Sequence, residues 1–308
     1  MRSQRGQSTV EWIGLLLVVA LLLVSIVAAG GRLPGTVLAE AVASRILCAA
    51  ALADSCRDEP LLIATYGTEI GKLVRHHMPA MLFENDSRAL PVNFRRCRLI
   101  TCGDESDRGT VHRTDAGMPV TAFVHVVDCR PDAAAKSEAQ GADCSDSRAG
   151  NLYVEYWTYY ADSASFRGVP ILAAAGYHPD DWEGVEIRIS PDGSVDERAS
   201  SHHGYNHTKG MTNWVSDAGI GPLRSLEESV SVRESNGWGP ETHRLLVSGG
   251  SHAGNADGDF DSDRHTPGRD VHLIPLEAIA TGGARYRFEI VPPWQKQLWF
   301  DPEAEGTE

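Results

Sequence analysis

The chain has 308 residues, with 28 Lys+Arg against 42 Asp+Glu and a formal charge of −14. Apolar residues at 42% and charged residues at 23% are the proportions of a packed globular protein, so wholesale disorder is excluded. The acidic balance also excludes a nucleic-acid binder, because phosphate recognition needs a basic face.

All six Cys lie between Cys48 and Cys144, whereas eight of the 12 His fall between His178 and His272. Structure is thus expected to be stapled early in the chain, and any chemistry to sit late. At the front, Arg2 and Arg5 precede Gly6, and the run from Trp12 to Ala29 carries no charge. That run is just long enough to span hydrocarbon as a helix. The arginines before it should stay cytoplasmic and place the rest of the chain outside.

Glu11 is an acid at the edge of this apolar run. With Gly6 and Gln7 it makes residues 1–31 resemble the type IV pilin and TadE/Flp-like class. The resemblance implies cleavage after Gly6 by a prepilin peptidase, with Gln7 as the new first residue, Glu11 fifth, and pilin-like subunits as partners. An uncut signal anchor and a secretory signal ending at Val27-Ala28-Ala29 are the alternatives. All three readings export the rest of the chain. The favoured one leaves it at the cell membrane, single-pass, with the C-terminal domain extracytoplasmic.

Disulfides are permitted there, and six Cys is an even number. Sequence proximity pairs Cys48 with Cys56, Cys97 with Cys102 and Cys129 with Cys144, although six Cys allow fifteen pairings. None has the Cys-x-x-Cys spacing of a zinc or thioredoxin-like site. Leu38 to Ala53 is helical in propensity. Pro60 opens a second helical stretch, Leu61 to His77, which Pro79 stops. Asp132 to Gly150 reads as a surface loop closed by a disulfide.

Beyond it the strand signals begin. Val120 to Val127, Leu152 to Tyr160, Val185 to Ile189, Leu245 to Val247 and Tyr286 to Val291 are the expected strands. Ser190-Pro191-Asp192-Gly193 is a turn between two of them. The expected fold is mainly β: an antiparallel β-sandwich-like domain with N-terminal helices and one membrane helix. The organisation reads as a pilin-like segment at 1–31, a helical neck at 32–78, a β-rich domain at 79–300 and an acidic tail at 301–308.

The best chemical candidate is His178-Pro179-Asp180-Asp181-Trp182-Glu183. Strand alternation puts Asp181 and Glu183 on one face with Val185, Ile187 and Ile189, an apolar face expected to be buried. Two carboxylates there cannot both stay ionised without compensation. A divalent cation would supply it, with His178 reaching from the preceding turn. Carboxylates with one imidazole suit Ca²⁺, Mg²⁺ or Mn²⁺. The alternative is a wet, acidic strand end.

Three stretches resemble the vacuolar protein sorting-associated protein 62-related family: Tyr156-Trp157-Thr158-Tyr159-Tyr160, His178 to Val185, and Ser248-Gly249-Gly250-Ser251-His252-Ala253. That resemblance implies a β-rich domain and no established activity. His178 to Glu183 is also similar to the heptapeptide of necrosis- and ethylene-inducing-like proteins, secreted β-sandwich cytolysins that bind a divalent metal and sphingolipid glycans. Their ligand positions fall on His178, Asp181 and Glu183, and a further Asp ligand falls on Asp162. Asp180 stands where that family has a second His, and Phe166 to Ala175 reads as an insertion.

Other motifs carry less. Gly249 to Gly254 superficially resembles a nucleophile elbow, but the Gly/Asp-rich stretch from Asn255 to Asp263 will not start the helix that motif needs. The alternating acids of Asp257 to Asp263 lack the Gly and Glu of an EF-hand. His202 and His252 are further ligand-binding candidates, and Trp238, flanked by glycines, is the first place to look for glycan contact. The expected function is an exported, membrane-anchored surface protein binding a glycan or envelope component with help from a divalent ion. A metal-dependent hydrolase, with His252 or His202 as general base, and a minor pilin-like assembly subunit are the other readings.

Overall fold

A computed structural model describes residues 59–84, 90–97, 119–164, 177–201, 204–206, 237–249, 251–256, 262, 264–277 and 288–304. The Trp12–Ala29 run, Gly6, Gln7, Glu11, Cys48, Cys56, Cys102 and His202 lie outside the described residues. Among the described residues, no helix is long and apolar enough to cross a membrane. The chain divides into two compact units, Met1–Lys72 and Leu73–Glu308.

The stretch expected as one helix from Leu61 to His77 is two, α1 (Glu59–Tyr66) and α2 (Thr68–His76). Gly67 separates them at φ +84°, a left-handed conformation that glycine adopts without strain. Its N–H donates to Ile63 O at 2.8 Å, closing α1. Glu69 in the first turn of α2, and Arg75 and His76 in the last, match the helix dipole. Phe94–Cys97 forms α3 and Ala134–Ala139 forms α4, both short.

Eleven strands follow in chain order among the described residues. They are β1 (Ala80–Phe83), β2 (Thr121–Asp128), β3 (Leu152–Ala164), β4 (Tyr177–Ile189), β5 (Val195–Ser201) and β6 (Gly204–Asn206). After them come β7 (Gly239–Pro240), β8 (Arg244–Val247), β9 (Gly254–Asn255), β10 (Arg264–Thr266) and β11 (His272–Pro275). The larger sheet runs β11-β2-β3-β4-β5-β6, with β7 on β5, and the smaller runs β10-β1-β8-β9.

Two departures from the expected antiparallel fold stand out. β1 pairs with β8 in parallel, and so does β11 with β2, so both sheets are mixed. Each parallel pair joins strands far apart in sequence, whose relative direction no local turn dictates. Phe288 to Val291, the described part of the expected last strand, is not a strand. Phe288 and Ile290 instead pack on the aromatic core.

β3 and β4 form the spine, paired antiparallel from Leu152↔Ile189 to Ala164↔Tyr177. The expected Ser190–Gly193 turn is present and leads from β4 into β5, a strand the sequence did not mark, with Gly193 at φ +84° and its N–H on Ser190 O at 2.9 Å. On one face of the spine, Trp157, Tyr159 and Trp182 pack with Phe94 and Phe123. The opposite face carries Tyr156, Thr158, Tyr160, Asp181, Glu183 and Val185, because side chains alternate. Cys129 and Cys144 are joined in a disulfide that closes the loop carrying α4. Closing a loop of this length stabilises the chain by about 3 kcal/mol.

The small sheet meets the large one where β9 packs on β5 and β4. A Cβ on Gly254 would sit 2.8 Å from Leu245 Cδ1 and 3.1 Å from the Cβ of Ala199. An added Cβ would push the Leu245 methyl aside and press on Ala199. Gly254→Ala is therefore expected to cost about 1–3 kcal/mol through overpacking, read as a lower urea midpoint at unchanged slope.

Candidate functional site

The segment from His178 to Glu183 is strand from its beginning, not a turn followed by a strand. His178 pairs with Ser163, Pro179 with Asp162, Asp181 with Tyr160 and Glu183 with Thr158. Asp181 and Glu183 share a face, as alternation requires. Asp180 points to the other face, where it accepts hydrogen bonds from Tyr159 Oη at 2.6 Å and from the N–H of Glu289 at 2.9 Å. Its φ of +60° is one of few left-handed backbones at a non-glycine residue here, and those two bonds hold it.

His252 arrives from the loop after β8. Glu84, at the end of β1, fixes that loop by accepting the N–H of Gly249 at 2.6 Å. The N–H of Ser248 donates to Ala253 O at 3.1 Å, and His252 takes φ +57° at the turn between them. Buried there, His252 Nδ1 lies 2.9 Å from Asp181 Oδ2, and its ring stacks on Tyr160 at 4.0 Å. Glu183 is approached from β5: Ser200 Oγ donates to Glu183 Oε2 and accepts the N–H of Gly184.

Burial raises the Asp181 carboxyl to about 7, against the opposing pull of His178 and Lys296, and Asp162 adds to the rise. Burial and the neighbouring Asp181 raise Glu183 to about 8, with Ser200 and Lys296 opposing. The phenol of Tyr160 is also pushed well above its ordinary value, chiefly by burial and further by the two acids. Two buried carboxyls side by side cannot both hold a charge without compensation.

Asp162 and His178 act electrostatically on Asp181, as Asp181 does on Glu183, and His252 is bonded to Asp181, but no three of these five bring ligand atoms within 4.8 Å of one another. His178 Nδ1 is 2.7 Å from the carbonyl of Asp180, which directs its other ring nitrogen elsewhere. Trp238 lies apart from this group. Guanidinium groups of Arg188 and Arg198 each stand 4.5 Å over its ring, and its indole N–H donates to Glu303 Oε2 at 2.8 Å.

Two further participants, Ser200 and Lys296, lie in no motif of the sequence, whereas Tyr160 belongs to the Tyr-rich stretch from Tyr156. A second group of ligating types is also present. His77, Glu241 and His243 place one donor atom each within 4.8 Å of one another, the single such trio among the described residues. A third buried cluster joins His125 to Glu277 Oε1 at 2.8 Å and to Trp299 O at 3.2 Å. Burial opposes its charge, but Glu155 and Glu277 outweigh that and raise His125.

No protein-family model matches the sequence, and no curated protein is similar to it. The likeness to the vacuolar protein sorting-associated family is thus carried by its motifs alone. Solved structures do resemble the chain. Necrosis and ethylene inducing protein 2, from the causal agent of cocoa's witches' broom disease, shares 15% identity at a TM-score of 0.32. The overlap covers 67% of this chain and 73% of that one. NLPPya, solved in complex with glucosamine, shares 16% identity at a TM-score of 0.36, covering 74% and 86%. A structure described as a toxin fold for microbial attack and plant defense shares 14% at 0.36, with the same coverage. At such low overlap the likeness is general, and the chemistry of the site rests on its own side chains.

Proposed function

We propose that the unit from Leu73 onward binds a polar, hydroxyl-rich ligand, such as a glycan or an envelope component, through a divalent cation at Asp181 and Glu183. Asp162 and His178 complete the shell. The observation that carries this reading is the side-by-side pair of carboxylates on β4, both raised toward or beyond neutrality by burial. Such a pair is relieved by protons or by a cation, and a cation also offers open positions to ligand oxygens. An oxygen-rich set with one imidazole fits Ca²⁺, Mg²⁺ or Mn²⁺. His252, bonded to Asp181 Oδ2, orients that carboxylate from outside the shell. In this reading residues 1–31 bring the domain to the outer face of the membrane, with prepilin peptidase cutting after Gly6, and residues 32–78 form the neck.

The test is calorimetric titration of the protein with Ca²⁺, Mg²⁺ and Mn²⁺, followed by a glycan array with and without EDTA. Wild type should bind one of the ions and lose its array signal in EDTA. Asp181→Asn with Glu183→Gln should lose at least tenfold in ion affinity. Ligand binding that is indifferent to EDTA would sink the reading.

A metal-dependent hydrolase is the second reading, favoured by the His252–Asp181 pair at 2.9 Å, which has the form of an oriented general base. Turnover of a glycan ester or glycoside that disappears in His252→Gln while ion affinity persists would select it.

A further inference from the structure

We propose that His77, Glu241 and His243 form a second cation site, of zinc type, separate from the acidic pair on β4 and independent of the reading of that pair. Its donor chemistry is different. Two imidazoles and one carboxylate suit Zn²⁺ and its transition-metal neighbours, whereas an oxygen-rich set favours Ca²⁺ or Mg²⁺. Three protein ligands with a fourth position left to water is the composition of an exchangeable zinc centre.

The geometry is close to what such an ion demands. Glu241 Oε1 lies 2.8 Å from His77 Nδ1 and 3.2 Å from His243 Nδ1. Ligand atoms around a tetrahedral zinc stand about 3.3 Å apart, given bonds of about 2.0 Å. With all three donors inside 4.8 Å, small side-chain rotations bring them around one centre. His76 adds a third imidazole at the same place, its ring centroid 4.8 Å from His77 and 5.9 Å from His243.

The backbone holds these side chains in place. The N–H of His77 donates to Leu73 O at 2.9 Å, in the last turn of α2. The carbonyl of His243 accepts the N–H of Ala80 at 2.9 Å, where β1 begins beside β8. The N–H of Glu241 donates to Val195 O at 3.2 Å, where β5 begins. His243 sits at φ +58°, a left-handed backbone that a non-glycine residue adopts at a cost. Exposure is graded across the trio: the His77 and Glu241 side chains are 7% and 8% exposed, and that of His243 is 56% exposed. An ion therefore has a dry side to bind against and a wet side to enter from.

The competing arrangement is a plain hydrogen-bonded cluster in which both imidazoles donate to one carboxylate oxygen and no ion binds. Titration of the full chain with Zn²⁺ by calorimetry, repeated with Co²⁺ read by visible absorption, separates the two. Wild type should bind one equivalent tightly, with the intense visible bands of tetrahedral Co²⁺ and a higher melting temperature in Zn²⁺. His243→Ala, at an exposed position that folding tolerates, should weaken Zn²⁺ at least tenfold and abolish the Co²⁺ bands. Glu241→Gln should do the same. Asp181→Asn with Glu183→Gln should leave both readouts unchanged. Equal Zn²⁺ affinity in wild type and His243→Ala would overturn the proposal, as would loss of the site in the Asp181→Asn, Glu183→Gln variant alone.

Discussion

Arg198→Ala is expected to lower the melting temperature by about 10 °C, the loss of about 3–5 kcal/mol that follows from breaking a buried ion pair on one side. Arg198 is fully buried, and its Nε donates to Glu186 Oε2 at 2.5 Å between β4 and β5. Its Nη2 donates to the carbonyls of Pro302 and Ala304, both at 2.8 Å. Without the guanidinium, Glu186 must hold an unpaired charge out of water or take up a proton, and two carbonyls lose their donor. Arg198→Met combined with Glu186→Met should recover part of the loss, because an apolar pair removes the stranded acid. A circular-dichroism melt of both variants checks this; a single variant melting within about 2 °C of wild type would contradict it.

The second large effect depends on pH. In EDTA at pH 8, Asp181→Asn is expected to melt higher than wild type, and the advantage should shrink to less than about half by pH 5 and vanish below about pH 4. Burial raises the folded-state carboxyl to about 7 from its ordinary 3.8. Its protonated form therefore favours folding, a contribution complete below the unfolded value and lost as pH rises through about 7. A shift of that size corresponds to about 4 kcal/mol by pH 8, or about 10 °C for a domain of this size. Glu183, raised to about 8, acts in the same direction, so the double variant should gain more. If the pair takes an ion as proposed, adding it should reverse the order, since the variant lacks the carboxylate that would exchange its proton for it. A flat difference between the two proteins from pH 5 to pH 8 would show that Asp181 does not titrate with folding.

β2, β3, β4 and β8 were legible because their cause is local. β-branched and aromatic runs such as Leu152 to Tyr160 and the alternation from Val185 to Ile189 mark half-buried ribbon wherever they occur. Alternation also put Asp181 and Glu183 on one face before any partner was known. Pairing direction was not legible, because β1 meets β8 and β2 meets β11 across long separations. The partners of the acids were hidden for the same reason. Ser200 comes from β5, Lys296 from near the end of the chain, and Glu84 acts through a loop it does not belong to. The His77–Glu241–His243 trio is the extreme case. His77 read as the last residue of a helix, and Glu241 and His243 sit in a stretch with no recognisable motif. Only the parallel pairing of β1 and β8 brings them together.

The residues after Trp299 have a practical consequence for anyone preparing the protein. Asp301 pairs with Arg148, and Glu303 with Arg188, Tyr153 and Trp238, while Arg198 grips the backbone on either side of Glu303. The acids of the stretch that read as an acidic tail act as a latch over three arginines of the larger unit. An expression vector that trims the gene at Phe300, or that replaces residues 301–304 with a purification handle, would open the latch and strand those guanidinium groups. Handles belong beyond residue 304.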